Sequence, residues 1–238
     1  MDWTSLIGPA VVAAAVSGLV TTIGFVMNRS TSLTMHTQKL AADEKLTERK
    51  FTFDKTLAER KFLLDARSAD RKRKQDLAES VLTGFYETEA IMRSVRSPMS
   101  YTYEAEGRPR GDTESEGTAH LRNTYYVIIA RYDKNRKEIS DLLSRRYRMV
   151  AWFGVGADEP FQKLHEAINK VITAAQMLVQ WSHDADGFRR NNLELWQRME
   201  GDIWWGAAEP DRVAAQITEA VAAIEVICRP ILAEVITE

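Results

Sequence analysis

The sequence has almost no cysteine and little proline or glycine, and each shortage removes a class of structure. A single cysteine, Cys228, among 238 residues rules out an intrachain disulfide and any zinc site built from cysteines. Six prolines and twelve glycines are too few for a turn-rich β fold of this length. Catalytic signatures are missing as well: there is no glycine-rich phosphate loop, no Gly-x-Ser-x-Gly elbow and no dinucleotide fingerprint. His165-Glu166 opens no HExxH motif, because Asn169 stands where the second histidine would fall. Abundant instead are Ala, Leu, Glu, Lys and Arg, the strong helix formers. We therefore expect an all-α protein in three parts: a single transmembrane helix over 1–28, a long coiled-coil-like stalk over 29–76 and a helical bundle over 77–238. No enzyme activity, cofactor or metal is expected. The stalk and the body differ in sign, with thirteen Lys/Arg against eight Asp/Glu over 28–76 and nineteen against twenty-five over 77–238.

Residues 6–27, LIGPAVVAAAVSGLVTTIGFVM, carry no charge. As a helix they span about 33 Å, against about 30 Å of bilayer hydrocarbon. Pro9 falls in the first turn, where its missing N–H costs nothing, and Asn28-Arg29 closes the run with groups suited to the interface. A secretory signal fits less well, since Asp2 replaces the basic leader and the only small-residue triplet, Ala13-Ala14-Ala15, lies in mid-run. A buried hairpin helix of a soluble protein is the other alternative, because Gly, Ser and Thr dilute the apolar character. Nothing basic precedes the segment, whereas Arg29, Lys39 and Lys45 follow it. The positive-inside bias then puts the N-terminus outside and the body in the cytoplasm, at a bacterial inner membrane. Ala10, Ala14 and Gly18, four apart, would let helices approach closely in lipid, which hints at self-association.

An eleven-residue repeat organises the stalk. Residues 35–45, 46–56, 57–67 and 68–78 align so that Lys39, Lys50, Lys61 and Lys72 share one column and Asp43, Asp54, Asp65 and Asp76 another. Glu48, Glu59 and Asp70 fill a third, followed by Arg49, Arg60 and Arg71. The apolar seam runs through Met35, Ala42, Leu46, Phe53, Leu57 and Leu64 in steps of seven and four. Eleven residues in three turns is about 3.67 per turn, so this seam runs nearly straight or with a slight right-handed supercoil. Leu40, Phe51 and Phe62 make a second stripe off the seam. A two-stranded coil has little use for it, whereas a helix with neighbours on both sides would bury both. Phe51 and Phe62 could alternatively fold against the chain's own body or lie in a membrane interface. The seam fails in the fourth copy, at Ser68 and Gln75, so tight association should end near Ala66. The basic run Arg71-Lys72-Arg73-Lys74 is flanked by Asp70 and Asp76 and reads as a solvated face, which argues against nucleic acid as a partner.

In the body, Leu77, Val81, Phe85, Ile91, Met92 and Val95 are spaced for core burial up to Ser97-Pro98. Residues 97–118, with two Pro and three Gly, read as a mobile loop open to proteolysis. A helix is expected over 119–153, a second from the Asp158/Pro160 start signal to Trp181, a third over 188–204 and a last one opened by Pro210 and kinked or shortened by Pro230, which makes five with the first.

His183-Asp184 contains the dipeptide that metal-dependent phosphohydrolases use, but no further ligands can be named, and it reads better as a turn with Asp184 or Asp186 capping the next helix. Cys228 sits in an apolar stripe and reads as core. Trp204-Trp205, beside Gly201 and Gly206, could be helix-end packing or an exposed anchor for a partner. The expected function is a membrane-anchored, self-associating scaffold that presents its body to a cytosolic or membrane protein partner. An oligomeric pore-forming effector and a metal-dependent hydrolase centred on His183-Asp184 are the alternatives.

Overall fold

The computed structural model describes residues 8–182 and 185–233, leaving aside the side chains at 9, 10, 185 and 186. The His183-Asp184 turn lies outside the described residues, as does the side chain of Ala10. The chain divides into two units, Met1–Ser68 and Ala69–Glu238. Among the described residues there is no strand. Helix α1 (Pro9–Val95) is followed by α2 (Glu116–Lys134), α3 (Arg136–Ser144), α4 (Arg146–Phe153), α5 (Glu159–Trp181), α6 (Ala185–Asn191), α7 (Leu193–Ile203) and α8 (Arg212–Ala233). Short 3₁₀ turns occupy Thr102–Ala105 and Val155–Asp158.

The first unit is the N-terminal part of α1 alone. No proline or glycine interrupts it after Gly24, and Thr hydroxyls at 31, 34, 47, 52 and 56 donate back to carbonyls four residues earlier, so the side chains add no competing turn. Every described side chain over 11–73 is exposed.

In the second unit the apolar residues converge. Leu77, Val81, Phe85, Met92 and Val95 are buried, and Ile91 packs at their edge. Phe85 meets Phe161 of α5 edge-on at 5.1 Å between ring centres. Gly84 lets α3 approach, since a Cβ there would stand 2.8 Å from Leu142 Cδ1. Helix α5 is central, burying Leu164, Ile168, Val171 and Leu178 against neighbours that include α8, which contributes Ile217, Val221, Ile224 and Cys228.

The single helix expected over 119–153 is three helices. Asn135 leaves the helical region (φ −106°, ψ 10°) and its side-chain amide donates to the Arg131 carbonyl at 2.7 Å, replacing the next helical bond. A second break at Arg145 brings its guanidinium to the Ser80 carbonyl at 2.6 Å. The bends let Tyr125, Ile128, Ile139, Leu142 and Met149 all enter one core, which a straight rod of that length could not do. The helix expected over 188–204 is likewise divided, at Asn192 (φ −137°, ψ 44°), into α6 and α7. Helix α5 begins with Pro160 in its first turn, as the sequence predicts, whereas α8 is not shortened at Pro230 but continues through it to Ala233.

Candidate interaction surfaces

One helix among the described residues is long and apolar enough to cross a membrane: near its N-terminus an 18-residue window has a mean hydropathy of 1.8 and is 0% buried. Its two threonine side chains are internally satisfied. Thr21 Oγ1 donates to the Ser17 carbonyl and Thr22 Oγ1 to the Gly18 carbonyl, both at 2.6 Å. A hydroxyl already bonded to its own backbone costs far less to transfer into hydrocarbon than a bare one. Ala14 and Gly18 are exposed on this stretch.

Farther along α1, Leu46, Phe53, Leu57 and Leu64 are each more than half exposed, and Phe51 and Phe62 reach 72% and 73%. At about 100° per residue, the seam from Ala42 to Leu64 falls within an arc of about 60°. Leu40, Phe51 and Phe62 lie about 150° away from its centre. The two apolar stripes therefore occupy nearly opposite faces of one helix.

The second unit is organised by arginines whose roles the sequence does not announce. Arg96, fully buried just beyond α1, donates through Nε to the Asp202 carbonyl (2.8 Å) and through Nη2 to both Asp211 carboxylate oxygens (2.9 and 3.0 Å). Burial pulls the Asp211 carboxyl upward, but the Ala214 N–H, Arg96 and the Gly206 N–H outweigh it and hold the carboxyl below its ordinary range. Asp211 thereby caps α8 and neutralises Arg96 at once. Asp202, also buried, takes a two-pronged contact from Arg212. Trp205 lies beneath Arg93 and Arg96, 4.8 and 5.3 Å from ring centre to guanidinium, and its backbone N–H donates to the Arg96 carbonyl at 2.7 Å. Trp204 and Trp205 are both half-buried, so these rings are engaged within the body itself.

The segment is irregular over 97–115 apart from its 3₁₀ turn, the last three residues of the expected loop belonging to α2, and two ion-pair clusters pin it. Arg131 of α2 binds both Glu104 oxygens (2.8 and 2.9 Å) together with the Ser97 and Met99 carbonyls (2.8 and 2.6 Å). Glu114, its side chain almost wholly covered, receives Arg108 at 2.9 Å and Arg122 at 3.1 Å.

An open cleft of about 500 Å³ lies between α5 and α7, lined by Lys170, Met177, Leu195, Arg198, Met199 and Asp202 among others. Of its two acids, Asp202 is committed to Arg212 and Glu166 accepts from the Gln216 amide, while Lys170 donates to Gln216. Among the described residues no three His, Cys, Asp or Glu side chains converge to hold a metal ion. Cys228 is buried, and burial pushes its thiol up to about 11, so it stays protonated and unreactive at neutral pH. No family model, no curated protein and no solved structure matches the chain.

Proposed function

We propose that this protein is a single-pass anchor that self-associates through its span and stalk and presents a helical bundle to a protein partner in the cytosol. The observation that carries this reading is that α1 exposes every side chain over 11–73 while placing large apolar groups there in register. A helix this apolar with no core of its own gains nothing from water and must be covered by lipid or by other protein. Lipid suits the uncharged stretch before Asn28. The charged, repeating stretch after it suits neighbouring helices, as a coiled-coil-like stalk with its eleven-residue period. The basic residues that follow the span, at an inner membrane, favour an external N-terminus. Small residues at Ala14 and Gly18 would bring the spans together, and the Leu/Phe seam the stalks.

The test is fractionation followed by native mass. The full chain should stay with the membrane pellet through an alkaline carbonate wash and, in mild detergent, should scatter light as a multiple of one chain. A carbonate-soluble monomer would overturn the proposal. Dye release from loaded vesicles at high protein density would replace it with a pore.

A further inference from the structure

The stalk's charges are distributed about its two apolar stripes in a way that dictates how copies meet. Around the seam, Lys50 lies about 50° to one side and Arg49 about 50° to the other, and Lys61 and Arg60 repeat this one period on. Around the Phe51/Phe62 stripe the signs invert: Asp54 and Asp65 lie about 60° to one side, Glu48 and Glu59 about 60° to the other. The column of Glu44 and Lys55 near the second stripe has no consistent sign. Among the described residues none of these rim charges forms an ion pair. The pairs Lys39/Asp43, Lys50/Asp54 and Lys61/Asp65 are four apart yet unjoined, and Arg73–Asp70 is the one ion pair over 9–73.

We infer that copies of this chain associate through unlike faces, the cation-rimmed seam of one helix against the acid-rimmed Phe51/Phe62 face of the next. This rests on the proposed side-by-side anchoring, which makes the stalks parallel and in register. In that arrangement Lys50 of one copy faces the Asp54 column of its neighbour, and Arg49 faces Glu48 at nearly the same height. A seam packed on a second seam would instead set Lys against Arg along both edges, and the second stripe packed on itself would set Asp against Glu. Like charges held across an interface oppose association, so both symmetric pairings are disfavoured and the unlike pairing is selected. An interface between unlike faces does not close on itself as a dimer. It adds copies until a ring or open array forms, and contact faces about 150° apart turn each copy by about 30°, so closure needs on the order of twelve.

The test uses the full chain in mild detergent at low ionic strength, with mass read by light scattering. Arg49→Glu/Arg60→Glu and Glu48→Arg/Glu59→Arg should each lose the wild-type oligomer when alone. Mixed in equal amounts they should recover it, because each then offers the face the other needs. Retention of wild-type mass by the Glu48→Arg/Glu59→Arg variant, a wild-type dimer, or no recovery on mixing would each overturn the inference while leaving self-association standing. A monomeric wild type would instead overturn the proposed function, and is read before any variant is made.

Discussion

The two units of this chain spend their apolar residues in opposite ways. Over the described part of 69–233 a large apolar cluster gathers around α5, and even the buried Arg96 is met at Nε and Nη2 by carbonyls and a carboxylate. Over 11–68 every side chain is exposed, and Val16, Leu19, Leu46 and Phe53 are all more than half exposed. The body is thus stabilised by its own contacts, whereas the rod's apolar surface has value only toward something else. Substitutions should separate cleanly along this division, those in the body changing unfolding and those in the rod changing location and mass. Trp fluorescence reads the first almost exclusively, since Trp3 is the one tryptophan outside the body.

The largest expected effect is in the span. Val16→Arg with Val20→Arg puts two charges near its centre, at about 2.5–3.5 kcal/mol each on the insertion scale. The chain should leave the carbonate-washed membrane while its fluorescence melt stays at the wild-type temperature. A coincident loss of the body's melt would break the division just drawn.

Next is Arg96→Met, which fills similar volume but leaves Asp211 half-buried without its cation. Breaking such a pair costs about 3–5 kcal/mol. In a domain of this size each kcal/mol moves the melting temperature by about 2–4 °C, so a fall of about 6–20 °C is expected, with membrane retention and oligomer mass unchanged. Phe53→Asp with Leu57→Asp is the mirror experiment. It should reduce the detergent-solubilised oligomer to a single chain and leave the melt within about 2 °C, since exposed substitutions seldom exceed 0.5 kcal/mol.

What the sequence made legible follows the same division. Along the rod, helical type and the apolar N-terminal stretch were legible, because an unbroken helix expresses residue spacing directly. In the body, helical type and the inward residues Leu77, Val81, Phe85, Ile217 and Ile224 were legible from periodicity. The breaks at Asn135, Arg145 and Asn192 were not, since neither Pro nor Gly marks them. They arise from tertiary demands, such as Arg145 reaching Ser80, that local propensity does not encode. The arginine clusters were hidden for a related reason. Arg96, Arg131 and Arg108 look like ordinary surface cations until the fold brings Asp211, Glu104 and Glu114 to them from up to 115 positions away. The one hint available was Asp211-Arg212 just after Pro210, an N-terminal signal whose acid also serves the core.

The smallest expected effect tests whether acid acts on the body alone. The hydrogen-bonded Arg131 guanidinium beside Glu104 holds that carboxyl below its ordinary range, against the upward pull of partial burial and with help from the Tyr101 N–H. A carboxyl depressed in the folded state contributes stability that is complete above its unfolded pKa, about 4.3 for Glu, and is lost as pH falls through the lower folded value. The body's melting temperature should therefore hold steady from neutral pH to about 5 and decline below that. Glu104→Gln should lower the melt slightly at neutral pH and flatten the acid decline, by no more than the roughly 2–4 °C that 1 kcal/mol represents. Weakening this contact leaves the Ser97 and Met99 carbonyls as the main hold of Arg131 on the segment, so tryptic cleavage there should quicken in Glu104→Gln and more so in Arg131→Ala, which loses all of these bonds. An acid decline of equal slope in wild type and Glu104→Gln would mean that Glu114 or Asp158, held low by arginine partners, or Asp211, held low by the Ala214 N–H together with Arg96, govern the acid response instead.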